Sequence, residues 1–163
     1  MSLVVVMGVT GCGKSTVGAA LGRRLDVPFA DADDFHSPEN VAKMAAGVPL
    51  DDADRGPWLH AIGAWLAEHA APGAVISCSA LKRAYRDVLR EHAPDAFFVH
   101  LHGDRETVRR RVAGRAGHFM PESLVESQYA ALEPLGADEG GVALPLDAPV
   151  DDLVDAAARS IVD

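Results

Sequence analysis

Leu3-Val4-Val5-Val6-Met7 runs without a break into Gly8-Val9-Thr10-Gly11-Cys12-Gly13-Lys14-Ser15. A continuous β-branched run suits a strand buried on both faces of a parallel sheet, not the alternating pattern of a half-exposed strand. The second stretch fits G-x-x-x-x-G-K-[ST], whose glycines let backbone N–H groups wrap phosphate oxygens, while the lysine reaches the terminal phosphates and the hydroxyl serves Mg²⁺. With 15 glycines and three lysines in 163 residues, a chance match anywhere in the chain is on the order of 0.2%. Val17, Ala20, Leu21 and Leu25 then recur at helical spacing, so a helix over 15–25 brings its positive dipole end to the same loop. Strand, glycine loop and helix in this order mark a nucleoside triphosphate site. Gly11, Cys12, Gly13, Lys14, Ser15 and Thr16 are the expected phosphate contacts. Cys12 is read as a small residue that tolerates close packing, with a reactive, nucleotide-protected thiol as the sharper alternative.

Outward from this unit, strand and helix signals alternate. A short strand is expected over 27–30, a loop over 31–38, and a short helix over about 38–46 that stops at Gly47. The acidic Asp51-Asp52-Ala53-Asp54 precedes a longer helix to about Ala70, with Trp58, Ile62 and Trp65 on one side. Ala71-Pro72-Gly73 breaks it, a third strand spans 74–78, and Ser79 is placed to cap a helix over 81–92. The fourth strand is expected over 97–101, then a helix capped by Asp104 and running through Arg115, and a mobile segment marked by Gly114 and Gly117. A further helix from about Pro121 to Pro134, a fifth strand over 142–146 and a last helix over 150–162 complete the chain. The alternation implies right-handed crossovers, hence an α/β fold with a five-stranded parallel sheet covered by helices on both faces and a ligand at the strands' carboxyl ends. The 163 residues suffice for one domain that buries roughly 70% of its unfolded surface.

Composition narrows the function. Apolar residues are 48% and charged residues 24%, and no apolar run approaches a membrane span of roughly 18 residues, which argues against a membrane protein. The net charge of −9 repels polyanions and argues against a nucleic-acid partner. Two cysteines, Cys12 and Cys78, stand at no metal-ligand spacing, so neither a disulfide framework nor a zinc site is expected, and the N-terminus reads as a strand and the protein as cytoplasmic.

A phosphate loop leaves the acceptor open. Phe29-Ala30-Asp31-Ala32-Asp33-Asp34-Phe35-His36 follows the second strand, so its carboxylates emerge at the ligand-bearing edge. Asp31 is assigned with Ser15 to the metal, and Asp33 to the attacking hydroxyl, the alternative being a solvated acidic turn. The third strand ends in Ser77-Cys78 and carries no carboxylate there, which strengthens the need for Asp31. Ser79-Ala80-Leu81-Lys82-Arg83 offers N–H groups and two cations to an anionic substrate, or else forms a helix with solvated basic residues. Arg105, Arg109, Arg110, Arg111 and Arg115 lie in a segment with a single acid, Glu106. They read as a closing lid over about 111–120 that stabilises a transferring phosphoryl group, or as a salt-bridged surface helix. His100 and His102 share a strand face without a third ligand nearby, and Lys43 reads as surface.

Taken together, GVTGCGKST, DADDFHSPENVAKMAAGVPLDDADRGPWL, SCSALKRAYRDVLR, GHFMPESLVESQ and LEP resemble the phosphate-loop gluconokinase family, among the small kinases that include shikimate and adenylate kinases. The resemblance spans residues 8 to about 134, and its middle stretch is far more specific than the phosphate loop. It implies ATP- and Mg²⁺-dependent phosphorylation of D-gluconate to 6-phospho-D-gluconate, a sheet of the nucleoside-monophosphate-kinase type, and a homodimer. A same-fold kinase for another small acceptor, shikimate or a nucleoside monophosphate, is the alternative. By position the resemblance assigns Asp33 and His36 to the acceptor site and Arg55, Lys82, Arg83 and Arg86 to gluconate or its carboxylate. It assigns Arg111, Arg115 and Gln128 to the lid, with Arg111 toward the nucleotide and Gln128 counted among the substrate contacts. Lys14, Asp33, Arg111 and Arg115 are the expected catalytic set. Ala32, Ser37 and Tyr129 depart from the family pattern, and residues beyond about 135 match it weakly.

Overall fold

The computed structural model describes residues 2–113 and 122–162. Its centre is β1 (Leu3–Met7), flanked on one side by β3 (Ala74–Ser77) and β2 (Phe29–Asp31) and on the other by β4 (Phe97–His102) and β5 (Gly141–Pro145). All neighbouring strands are parallel. The five-stranded parallel sheet expected from the alternation is present, in the order β2-β3-β1-β4-β5.

The unbroken apolar run of β1 follows from this central position. Val4, Val5, Val6 and Met7 are fully buried, and each such side chain contributes about 1.5–3 kcal/mol on burial. Val4 and Val6 face a core made with α1 (Lys14–Leu25), α5 (Arg105–Ala113) and α7 (Val150–Val162), through Val17, Leu21, Val108 and Ala157. Leu3, Val5 and Met7 face the other core, where α3 (Asp52–Glu68) contributes Leu59, Ile62 and Leu66 and α4 (Arg83–His92) contributes Leu89. Helix α1 lies close on β2 because Gly18 has no side chain: a Cβ there would meet Phe29 Cε1 at 2.6 Å. Trp58 is in the core and Trp65 packs against it.

Local chemistry sets the helix starts. The acidic stretch before α3 is a capping box, in which Asp51 accepts from the Asp54 N–H at 2.7 Å and Asp54 accepts from the Asp51 N–H at 3.0 Å. Helix α2 (Pro38–Ala45) has Ser37 as its cap, accepting from the Asn40 N–H at 3.1 Å, with proline at the first position. Asp104 caps α5 as expected, accepting from the Thr107 N–H at 2.7 Å. Helix α6 (Glu122–Ala131) packs on α5, and Arg105 pairs with Glu126 between them at 2.8 Å. The expected continuation of α5 through Arg115 and the lid residues from Gly114 to Met120 lie outside the described residues.

Two expectations need correction. Strand β2 is shifted toward Asp31, and the following segment, expected to be a loop, contains a 3-10 turn over Ala32–Phe35 whose cap is Asp31. Ser79 caps no helix: Ala80 sits at φ 43°, outside helical geometry, and α4 begins only at Arg83. Among the described residues no helix is long and apolar enough to cross a membrane.

Leu66 is completely buried in the α3 side of the core. Leu66→Ala should lower the free energy of unfolding by about 2–5 kcal/mol, read as a lower urea midpoint at unchanged slope, whereas a loss below about 1 kcal/mol would mean this core is not close-packed.

Candidate active site

The phosphate loop leaves β1 and enters α1 with no side-chain cap. Gly13 occupies the cap position at φ 92°, a left-handed conformation that glycine adopts without strain. The first-turn N–H groups of α1 therefore carry no capping side chain, and they form the kind of anion site that helix N-termini provide. Lys14 Nζ donates to the Val9 carbonyl at 3.2 Å, which holds the ammonium against the loop. Cys12 is 1% exposed and burial pushes its thiol up, which favours the reading as a close-packed small residue over a reactive thiol. Cys78 is likewise buried, its thiol pushed up to about 12.

Beneath the loop, Ser15 and Asp31 are brought together by the sheet. Ser77 is the register partner of both Val6 and Asp31, which sets the ends of β1, β3 and β2 side by side. Ser15 Oγ donates to Asp31 Oδ2 at 2.8 Å and lies 3.4 Å from Ser77 Oγ, while Asp31 Oδ1 accepts from the Asp33 N–H at 2.9 Å. Asp31 thus orders both the helix start and the turn that presents Asp33. The adjacent hydroxyl and carboxylate are hard oxygen donors that suit Mg²⁺, which commonly takes one or two carboxylates and completes its shell with phosphate and water. Among the described residues no cluster of three or more His, Cys, Asp or Glu could hold a metal by itself, His100 and His102 included.

Asp33 lies at the cleft surface, yet desolvation by its surroundings raises its carboxyl pKa, the Asp31 charge raises it further, and Lys14 opposes both. The turn is pinned from below, because Trp58 Nε1 donates to the Ala32 carbonyl at 2.7 Å. His36 stacks on Trp58 with ring centroids 4.4 Å apart and planes 8° from parallel. Burial lowers its pKa, Asp33 opposes that, and Arg55 adds to it, which favours the neutral ring. Asn40 Nδ2 donates to the Asp54 carbonyl at 3.0 Å and lies 3.3 Å from His36 Nδ1. With its second N–H on Nδ1, the network assigns the ring proton to Nε2.

Farther along the edge a second group assembles around Tyr85. Its hydroxyl donates to Asp52 Oδ1 at 2.7 Å and accepts from Arg55 Nη1 at 3.3 Å. The Arg55 guanidinium carbon and Lys82 Nζ each lie 5.6 Å from the Tyr85 ring centre, and each side chain has a nitrogen 4.0 Å from Asp52 Oδ1, so two cations gather around one phenol and one carboxylate. Tyr85 and Asp52 were not singled out in the sequence. The available signal was spacing, since each stands three residues from an expected anion contact, Lys82 and Arg55 respectively.

The structure moves three expected substrate contacts elsewhere. Arg86 is fully buried and bound to Glu139 and to backbone carbonyls, so none of its N–H groups faces the cleft. Arg83 forks onto Asp138, with Nη1 at 2.9 Å from Oδ1. Gln128 Oε1 accepts from the Thr10 N–H at 2.5 Å, on the phosphate loop and not beside Tyr85. Of the arginine cluster, Arg105 and Arg109 pair with Glu126, which is the salt-bridged helix alternative. Arg111 does reach the loop: Nη1 lies 3.5 Å from the Cys12 carbonyl and Nη2 donates to Leu146 O at 2.9 Å. Arg115 lies outside the described residues. Lys43 pairs with Asp54 at 2.8 Å.

A family model described as shikimate kinase matches residues 10–131. The gluconokinase of Gluconobacter oxydans (strain 621H) is 49% identical over 138 residues, covering 83% of this chain and 78% of that protein. A probable gluconokinase of Xenopus tropicalis is 43% identical over 93% of this chain and 89% of its own length. The crystal structure of a gluconokinase from Sinorhizobium meliloti 1021 superposes with a TM-score of 0.91 at 45% identity, covering 99% of this chain and 91% of that one. With a phosphate loop, a carboxylate turn and a two-cation edge on this sheet, and relatives of such identity over most of its length, the chain belongs to the gluconokinase family, within the shikimate-kinase-like phosphate-loop kinases.

Proposed function

We propose that the chain transfers the γ-phosphoryl group of ATP in line to the primary hydroxyl of D-gluconate, giving 6-phospho-D-gluconate. The observation that carries this reading is the Asp33 turn, tied through Asp31 to Ser15 at the phosphate loop and followed by His36, whose ring feels the charges of both Asp33 and Arg55. The phosphate loop carries Lys14, and the Arg55–Tyr85–Lys82 group is suited to an acceptor that bears a carboxylate.

The phosphate loop and the α1 N-terminus hold the triphosphate, with Lys14 at the terminal phosphates and Arg111 beside Gly13, where its Nη1 is 3.8 Å from the position of a Cβ. Ser15 and Asp31 would hold Mg²⁺, which when bound neutralises phosphate charge. Asp33 accepts or orients the proton of the attacking hydroxyl, and its raised pKa makes it a better proton acceptor than an ordinary aspartate. Neutral His36, fixed on Trp58, offers Nε2–H to an acceptor hydroxyl. Arg55 and Lys82 take the acceptor carboxylate. Catalysis is then mostly positioning and electrostatic stabilisation. A lid that includes Arg115, a cytoplasmic location and a homodimer belong to the same proposal on the strength of the family resemblance.

Lys14→Ala should abolish turnover while leaving the urea unfolding midpoint nearly unchanged. Asp33→Asn should lower kcat by about 10²–10⁴ and leave the KM for ATP within about twofold; near-normal turnover would remove Asp33 from the proton path.

The pH profile follows from the sign of the Asp33 shift. A base with a raised pKa is active above that pKa, so kcat/KM should rise with pH through a value higher than an ordinary aspartate's and fall away on its acid side. An acid limb retained unchanged in Asp33→Glu and in a His36→Gln control would place the titrating group elsewhere. Acceptor identity is read by ADP release in a coupled assay over gluconate, shikimate, AMP and other sugar acids. Gluconate should support the highest kcat/KM, and release driven by shikimate or AMP instead would establish the alternative kinase.

A further inference from the structure

Arg86 has five guanidinium N–H groups, and the protein uses all of them. Nε and Nη2 reach the two carboxylate oxygens of Glu139 at 2.7 and 3.0 Å. Nη1 reaches the carbonyls of Ala80 and Leu81 at 2.9 and 3.3 Å, and Nη2 also reaches Pro134 O at 3.4 Å. The two side chains are 0% and 1% exposed. Burying such a pair costs several kcal/mol of desolvation per ion, and well-packed apolar residues of similar volume often serve stability as well or better. Stability alone therefore does not account for the pair, and what the guanidinium holds is a turn.

It holds the turn that joins β3 to α4. Ala80 stands at φ 43°, a left-handed conformation that is uncommon for a residue with a side chain and is kept only where its surroundings enforce it. Lys82 follows two residues later, at the cap position of α4 with extended backbone and no capping side chain. Glu133 grips the same turn from outside: its N–H donates to Leu81 O at 2.7 Å, and its Oε1 accepts from the Arg83 N–H at 3.0 Å. The segment after α6 thus reaches residues 80–83 through Glu133, Pro134 and Glu139. On the other side the Ser79 carbonyl accepts from the Gly8 N–H at 3.3 Å, where the phosphate loop begins.

We propose that Arg86, locked by Glu139 and assisted by Glu133, is a positioning residue: it fixes the turn over 79–83 so that Lys82 meets the acceptor anion together with Arg55. The inference rests on the assignment of Lys82 and Arg55 to the acceptor. The clamp acts through main-chain carbonyls and touches neither acceptor nor nucleotide. Its effect falls on acceptor binding, because a displacement of about 1 Å at a contact residue is enough to cost a large factor in rate or affinity.

Two variants test it. Arg86→Lys keeps the charge but cannot reach five acceptors, and should raise the KM for gluconate by about tenfold with the KM for ATP within about twofold. Glu133→Ala removes only the exposed half of the clamp from a surface residue. It should raise the gluconate KM by about threefold, leave kcat and the ATP KM close to wild type, and speed amide hydrogen exchange at residues 79–83 but not at 10–15. Where Arg86→Lys does not fold, Glu133→Ala decides alone. Equal rises in both KM values, or a gluconate KM in Glu133→Ala equal to wild type, overturn the proposal, since a merely structural role predicts no selective loss of acceptor affinity. The exchange arm needs no acceptor. Faster exchange at 79–83 in Glu133→Ala with no gluconate-dependent ADP release from the wild-type chain would locate the failure in the acceptor assignment; unchanged exchange would locate it in the clamp.

Discussion

The phosphate loop and the metal-competent oxygens hang from the carboxyl end of β1, a strand enclosed on every side. Val4, Val5, Val6 and Met7 are fully buried between parallel neighbours on both edges and helices on both faces. A strand held on four sides delivers the next residue, Gly8, to a fixed point, and the phosphate loop and α1 follow from there. The neighbours complete the arrangement by register. Because Ser77 pairs with both Val6 and Asp31, the hydroxyl of Ser15 meets a carboxylate supplied by β2, two strands from β1 in the sheet. In this chain a loop conformation, a metal-competent oxygen pair and the turn carrying Asp33 are consequences of one packed sheet. Preorganisation of this kind is what phosphoryl transfer demands, since the reaction leaves the protein little to do beyond placing charges.

The acidity of the chain is distributed differently from the simplest expectation. A net charge of −9 suggests an acidic outer surface with the cations gathered at the ligand. Part of that fits the proposed site, since Lys14 and Arg111 lie at the phosphate loop and Arg55 and Lys82 gather around Tyr85. But several acids of the C-terminal part are paired with arginines, one of them inside the protein and two on its surface. Glu139 is buried, with its carboxyl held down at about 2 chiefly by the Arg86 hydrogen bond, and Asp138 and Asp155 are paired with Arg83 and Arg24. The pairing removes arginines from the pool that could meet a ligand. It is the reason that basic residues adjacent in sequence, such as Lys82, Arg83 and Arg86, have separate roles.

That separation marks the limit of what could be read from the chain before its structure. The sheet, its strands and the phosphate loop were legible because their signals are contiguous: a β-branched run, a glycine pattern, a helical period. The position of Asp31 and Asp33 at the sheet edge was legible because a strand end places its next residues there. Arg86 was misread because its partner Glu139 stands 53 residues away, and nothing local announces that the pair is buried. The Ser79 cap failed for the same reason, since the group that meets the start of α4 is Glu133, 50 residues on. Gln128 reaches Thr10 across 118 residues, and a resemblance that places it in a lid cannot say which side of the cleft it touches. Tyr85 lay within a recognised stretch, but a phenol carries no charge signal in sequence, and its bonds to Asp52 and Arg55 span 33 and 30 residues.

The division of labour between arginine and lysine follows from their chemistry. Twelve of the 15 basic residues are arginine. A planar guanidinium can satisfy several fixed acceptors at once and so suits a permanent clamp, as Arg86 does with five acceptor contacts. An ammonium is a mobile point charge on a flexible stem and suits a contact that must form and release in each turnover. Among the described residues Lys14 is held by one carbonyl at 3.2 Å, and Lys82 pairs with Asp52 at 4.0 Å, where a surface pair is worth little. Neither lysine is committed to a strong partner that a phosphate or carboxylate ligand would have to displace. Lys43, the third, is committed, to Asp54 at 2.8 Å, and it lies away from the phosphate loop, where no such release is required. In the proposed mechanism the loosely held cations are therefore the ones that meet ligand, and the tightly forked arginine Arg86 is the frame that aims them.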